Sequence, residues 1–143
     1  GVAAYPEKHF EAVSLDEDLR YLKQKVDAGA DYIVTQMFFN NEKYFDFVRK
    51  CREIGILVPI IPGIKPLATL KQLEILPEIF HLEIPEALAS EVRKCDNNAA
   101  IKQIGIEWAI QQGRELINAH VPALHFYTMS KSDSVRAIAS ALF

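Results

Sequence analysis

A few residues in this chain pair a ligand-binding side chain with an unexpected setting. Gln36 is the sharpest case, an amide inside the otherwise apolar, β-rich run Asp31-Tyr32-Ile33-Val34-Thr35-Gln36-Met37-Phe38-Phe39. Burying an amide unpaired costs about 1–3 kcal/mol. Gln36 must therefore be satisfied by neighbouring backbone or hold a ligand, and an amide can read the donor and acceptor edge of a heterocycle. Tyr5 and His9 flank the proline-stiffened turn Tyr5-Pro6-Glu7-Lys8-His9. Their rings could stack on or hydrogen-bond a planar cofactor, or decorate a solvated loop. Asp18, Tyr21 and Lys25 recur at i, i+3 and i+7, on one side of a helix. A carboxylate and an ammonium so placed suit ribose hydroxyls and phosphate, and equally a solvated helix face. Gln72 sits where a Thr69-x-x-Gln72 capping box places its reciprocal glutamine, which explains it without a ligand. Lys131 opens the last predicted helix, where a cation opposes the helix dipole. That points to an anionic partner unless the ammonium is simply solvated.

These residues need a scaffold, and the sequence alternates strand and helix patterns throughout. Strands are expected at residues 2–5, 31–39, 58–61 and 124–128, the third ended by Pro62-Gly63. Ser14-Leu15-Asp16-Glu17 reads as a capping box opening a helix with Leu15, Leu19, Leu22 and Val26 on one stripe, closed by Gly29. A second helix starts at Asn40-Asn41 and carries Tyr44, Phe47, Val48 and Cys51, with Gly55 as its stop. Further helices are expected from Thr69 to about residue 79, over 85–94, over 99–119, and from Ser130 to 142. The nearly continuous apolar character of the second strand marks a sheet covered on both faces, hence parallel pairing. Alternating strands and helices imply βαβ units. The fold class is α/β, of the (β/α)8 barrel type. Such a barrel has eight strands and about 250 residues, so about four β/α units, a half-barrel in one domain over residues 1–143, are expected here, with an N-terminal half missing.

In parallel α/β folds functional residues gather at the C-terminal ends of strands. That rule selects Tyr5 to His9, Gln36 with Phe38-Phe39, Pro62-Gly63-Ile64-Lys65-Pro66, and Tyr127-Thr128-Met129-Ser130-Lys131. Composition removes several other classes. Net charge is −3 in 143 residues, with no Lys/Arg block, which argues against a nucleic-acid surface. No apolar run approaches the roughly 18 residues of a membrane span. Cys51 and Cys95 lack a second Cys or His at metal spacing and read as reduced structural thiols, so no metal is expected and a cytoplasmic setting is. G-x-G-x-x-G, the P-loop pattern, H-E-x-x-H and G-x-S-x-G are all absent from the sequence.

Five ordered segments carry a family resemblance. Ala3-Ala4-Tyr5-Pro6-Glu7-Lys8-His9, Lys25 to Asp31, Thr35-Gln36-Met37-Phe38-Phe39, Ile60-Ile61-Pro62-Gly63-Ile64-Lys65-Pro66 and His125-Phe126-Tyr127-Thr128-Met129 together resemble the bacterial methylenetetrahydrofolate reductases, in order and spacing. The resemblance implies a flavin barrel in which NAD(P)H reduces FAD and the reduced flavin converts 5,10-methylenetetrahydrofolate to 5-methyltetrahydrofolate, a step of one-carbon metabolism leading to methionine. It implies that Tyr5 and His9 contact FAD with Ala3 close by, and that Asp18 and Lys25 hold the ribityl-pyrophosphate-AMP region. It also implies that Gln36 and Gln72 bind the folate, Gln36 against the nicotinamide position, with Lys131 near the folate's polar tail. Tyr21 and Gln24 stand where members commonly carry Asn and, in some, Arg. The acid that helps open the folate ring belongs to the expected missing half. No catalytic residue is therefore assigned within this chain, and the isolated chain is expected to be inactive. A half-barrel would need a partner supplying the first four strands, or a second copy. The rival expectations are a non-catalytic half-barrel assembly module and another flavin barrel of the proline dehydrogenase type.

Overall fold

The computed structural model describes residues 1–129 and 132–143. The predicted alternation of strands and helices is present. Strand β1 (Val2–Ala4) is followed by α1 (Leu15–Asp27), β2 (Ile33–Met37), α2 (Asn41–Glu53) and β3 (Ile60–Ile64). Three helices then intervene, α3 (Gln72–Phe80), α4 (Glu86–Arg93) and α5 (Asn98–Asn118), before the short β4 (His125–Phe126) and the final α6 (Asp133–Leu142). All four strands are parallel, in the spatial order β1-β2-β3-β4. Strands laid down side by side in chain order are what consecutive units of a (β/α)8 barrel produce, and four is half that barrel's number.

Local chemistry explains the element ends. The Ser14 hydroxyl accepts from the Glu17 N–H while a Glu17 carboxylate oxygen accepts from Val13 N–H, so the predicted box at α1 is built, its return arm one residue early. Asn40 and Asn97 cap α2 and α5 in the same way. The expectation for α3 fails in part. Thr69 is not the cap, and the helix starts at Gln72. Gln72 Oε1 nevertheless reaches back to the N–H groups of Ala68 (2.7 Å) and Thr69 (3.3 Å), the return half of a capping box without its first half. The last helix starts at Asp133, after Ser132, and the expected start at Ser130 lies outside the described residues.

The third strand also departs from expectation. It begins later, at Ile60, and runs through Pro62-Gly63 instead of stopping before them. Proline inside a central strand removes a ladder donor and is tolerated at irregularities. The β2–β3 register shifts between Val34 and Met37, beside Pro62. There Gly63 N–H donates to the Thr35 hydroxyl at 2.9 Å rather than to backbone.

Two apolar clusters sort the layers. Ile33, Ile60 and Ile64 pack with Leu19, Leu22, Phe47, Ala109, Leu116 and Ile138 from the helices. Met37, Phe39 and Leu67 pack with Leu76, Leu88, Val92 and Ile101 toward the C-terminal ends of the strands. Carbonyls just beyond β2 are satisfied by α5, with Gln112 Nε2 donating to Phe38 O (2.9 Å) and Trp108 Nε1 to Phe39 O (3.0 Å). No helix among the described residues is long and apolar enough to cross a membrane.

The contact of α5 with the loop after β3 has no slack. A Cβ on Gly105 would collide with the Leu67 carbonyl oxygen and lie 2.8 Å from the Leu67 backbone N and C. Gly105→Ala should therefore destabilise the protein by about 1–3 kcal/mol, read as a lower midpoint in thermal or urea unfolding. The loop after β1 is tied down by Glu7, whose Oε2 accepts from Glu83 N–H at 2.9 Å, while its buried Oε1 has no partner among the described residues. Burial is the main cause that raises the Glu7 pKa. A raised folded pKa means that this group's stabilising contribution is complete below the unfolded carboxylate range and declines as pH rises through the folded value. Glu7→Gln keeps the acceptor and drops the charge. The variant should be more stable than the parent at about pH 7 and lose that advantage at about pH 3.5, measured by denaturant melts at both.

Candidate functional site

Strand alternation separates a helix-facing side from the opposite face. Ile33, Ile60 and Ile64 face the helices. Their neighbours Val34 and Ile61, paired with each other and with Ala3 by register, lie on the face a closed barrel would turn inward. Ala3 is exposed there, and Val34 and Ile61 are half-buried. Five of the sequence-selected residues gather beside the β1 end of this face and along α1.

Ala3, Tyr5, His9, Asp18 and Lys25 line one cavity of about 780 Å³ between the open edge of β1 and α1. Tyr5 and His9 meet edge to face with ring centroids 4.5 Å apart, and Phe10 and His81 extend the aromatic row. Asp18 Oδ2 accepts from His9 N–H at 2.8 Å. The carboxylate thus fixes the loop that carries His9, and its second oxygen remains for other donors. His9 Nδ1 accepts from Glu11 N–H at 3.3 Å, which in the neutral ring puts the proton on Nε2. The cations of α1 divide by side. Arg20 pairs with Glu17 and Lys23 with Asp27, while Lys25, in the last turn, has no ion-pair partner among the described residues.

Gln36 does not line this cavity. It borders a small adjoining crevice with Tyr5, Glu7, Met37 and Leu82, so Tyr5 joins the two. Regular strand alternation would place Phe38 on the same face as Gln36, but the β2–β3 register shifts just before it. Phe38 turns to the helix layer and stacks on Tyr44 at 5.5 Å. Gln36 Oε1 accepts from Met37 N–H at 2.9 Å, leaving the amide nitrogen as its free polar group. Gln72 stands apart from both spaces, its carbonyl oxygen engaged in the loop before α3. Lys131 lies outside the described residues.

Two residues in the selected loops, not singled out from sequence, prove to be part of this face. Tyr127 lies against Gly63, whose added Cβ would sit 2.7 Å from the ring, and its hydroxyl donates to Thr35 O at 3.0 Å. Burial, and to a lesser extent Tyr5, raises the Tyr127 pKa. Lys65 follows β3 and is only 7% exposed. The signal for both was their position just past a strand end. Neither cysteine forms a disulfide, and burial pushes the Cys51 thiol up to about 12. Among the described residues no group of three or more His, Cys, Asp or Glu could hold a metal ion.

The family described as Methylenetetrahydrofolate reductase matches residues 1–142. A probable methylenetetrahydrofolate reductase (NADPH) of Caenorhabditis elegans is 41% identical over 99% of this chain and 22% of its own length. The 5,10-methylenetetrahydrofolate reductase of Escherichia coli is 39% identical over 99% of this chain and 48% of its own length. The chain thus spans about half of the bacterial relatives and about a quarter of the eukaryotic ones. A Clostridium thermocellum protein, titled as binding two copies of 5-methyl-5,6,7,8-tetrahydrofolic acid, shares the fold with a TM-score of 0.61 at 20% identity, over 97% of this chain and 50% of that one. A parallel half-barrel with its strand-end residues gathered on one face, matched along nearly its full length, belongs to the methylenetetrahydrofolate reductase family.

Proposed function

We propose that this chain supplies the C-terminal half of a (β/α)8 barrel that uses FAD to pass hydride from NAD(P)H to 5,10-methylenetetrahydrofolate, yielding 5-methyltetrahydrofolate. The observation that carries this reading is the convergence of Tyr5, His9, Asp18 and Lys25 on one cavity in a chain of this family. The lining fits a dinucleotide. About 780 Å³ lies within the usual range for cofactor sites. Two aromatic rings suit a planar system, a carboxylate oxygen suits ribose hydroxyls, and an unpaired ammonium suits phosphate.

The flavin supplies the hydride chemistry, and the protein binds and orients. In this reading Tyr5 and His9, with Ala3 leaving room beside them, hold the cofactor, and Asp18 and Lys25 grip its ribityl-pyrophosphate-AMP region. Gln36 presents its amide nitrogen to the folate and the nicotinamide, since Met37 N–H occupies its carbonyl oxygen. Gln72 likewise has only its amide nitrogen for the folate, and the family resemblance assigns Lys131 to the folate's polar tail. The acid that protonates the opening folate ring comes from four further β/α units, which also close the open edges at β1 and β4. Without them the barrel stays open, and in this reading the chain alone turns over no folate. The work is cytoplasmic one-carbon metabolism feeding methionine synthesis.

The test is reconstitution. This chain, co-produced with the N-terminal half of the E. coli relative's barrel, should purify yellow, absorb near about 450 nm as bound flavins do, and oxidise NADH. Colourless, oligomeric protein would favour a non-catalytic assembly module instead. In the completed barrel, Gln36→Ala should lower folate turnover about tenfold or more, since one buried hydrogen bond to substrate is worth about 1–3 kcal/mol. Turnover unchanged by that substitution would remove Gln36 from the substrate site.

A further inference from the structure

Glu7 and Gln36 border the same small crevice, and the fold engages each of them at one end only. Glu7 Oε2 accepts from Glu83 N–H at 2.9 Å, while Oε1 is buried with no hydrogen-bond partner among the described residues. The Lys43 ammonium nearby is paired with Glu83 at 3.0 Å, and Glu7 has no ion pair of its own among the described residues. Gln36 is engaged through its oxygen, which accepts from Met37 N–H at 2.9 Å. What it can bring to another acceptor is Nε2, with two N–H groups.

The crevice between them measures about 10 Å³, close to what a single water requires. Met37, Phe80 and Leu82 form its apolar walls, and Met37 and Leu82 are themselves buried. A carboxylate oxygen unpaired against such walls is costly. A water that donates to Glu7 Oε1 and accepts from Gln36 Nε2 removes that cost and uses both groups.

Resting on the reading of Gln36 as a folate contact, we propose that one ordered water in this crevice joins Glu7 to Gln36 and makes Glu7 the positioning residue for the amide that meets the folate. One N–H of Nε2 serves the bridge and the other serves the ligand. With Met37 N–H on its oxygen and the bridge on its nitrogen, the amide is oriented before the ligand arrives. Little side-chain freedom is then lost on binding. Glu7 itself touches no ligand.

The bridge requires an acceptor at position 7. In Glu7→Gln the amide oxygen stays on Glu83 N–H, so the amide nitrogen points into the crevice. The water would then accept from two amides, with its own hydrogens against Met37, Phe80 and Leu82.

The test is a double-mutant cycle in the reconstituted barrel. Glu7→Gln should raise the methylenetetrahydrofolate KM about fivefold, with kcat within about twofold, because it costs one bound-state hydrogen bond and no chemistry. In the Gln36→Ala background the same substitution should raise KM no further. Urea unfolding of the same set of proteins reads the bridge without folate, and the two substitutions should be non-additive by about threefold or more in the folding equilibrium constant. A KM unmoved by Glu7→Gln, or moved equally in both backgrounds, overturns the proposal. So does strict additivity in unfolding. Non-additive unfolding with folate turnover unmoved by Gln36→Ala overturns the folate reading of Gln36 and leaves the bridge standing.

Discussion

Thr35 holds the mouth of this sheet together. Its hydroxyl accepts from Gly63 N–H and its carbonyl accepts from the Tyr127 hydroxyl, so side-chain and main-chain oxygens of one residue bind β2 to β3 and to the segment after β4. The arrangement is forced by Pro62. A proline has no N–H to give the ladder, the β2–β3 register slips beside it, and the next donor, Gly63 N–H, needs an acceptor that the regular ladder no longer offers. A hydroxyl on β2 meets that need. Residue 63 must then be glycine, because a Cβ would strike the Thr35 carbonyl and the Tyr127 ring. Thr35 is 0% exposed, so each of its polar atoms is obliged to find a partner inside the protein.

The slip has consequences further along. Past it, Phe38 returns to the helix layer against Tyr44, and the carbonyls of Phe38 and Phe39 lose strand partners. Gln112 and Trp108 of α5 satisfy them instead. That docking brings α5 against the loop after β3, where Gly105 meets the Leu67 backbone. The irregularity at one strand end thus fixes the longest helix, and the helix in turn holds the loop carrying Gln72. Gln36 sits within the slipped stretch. Its bond to Met37 N–H satisfies a backbone donor there and leaves the amide nitrogen as the group on offer.

The rhythm of the fold was legible because burial enforces periodicity. The stripe Leu15, Leu19, Leu22, Val26 and the apolar run of β2 can be read from residue types alone. Strand ends were not. Pro62-Gly63 looks like a stop, and only the tertiary acceptor on Thr35 lets β3 continue through it. Thr69 and Gln72 look like a complete capping box, but local geometry used only the glutamine half. Within the site, Tyr5, His9, Asp18 and Lys25 could be chosen because each is polar or aromatic beside a strand end or on one helix side. The Asp18 bond to His9 N–H, which couples the helix to the turn, spans nine positions, and no local pattern announces it. Lys65 was hidden for a different reason. Lysine is so commonly solvated that its burial is visible only in three dimensions.

Electrostatics give the face its direction. The chain carries a net charge of −3, and the cavity beside β1 that holds Lys25 is also lined by Glu11, Glu17 and Asp18. Most lysines and arginines of the helices are neutralised locally, as Arg49 is by Asp46 and Glu53 and Lys94 is by Glu91. Such exposed pairs contribute little to stability, but they leave the outer surface without a strong field of one sign. Lys25 and Lys65 lack that neutralisation among the described residues, one at the cavity beside β1 and one at the level of Tyr127. A low-dielectric concavity focuses the field of unpaired charges toward whatever enters it.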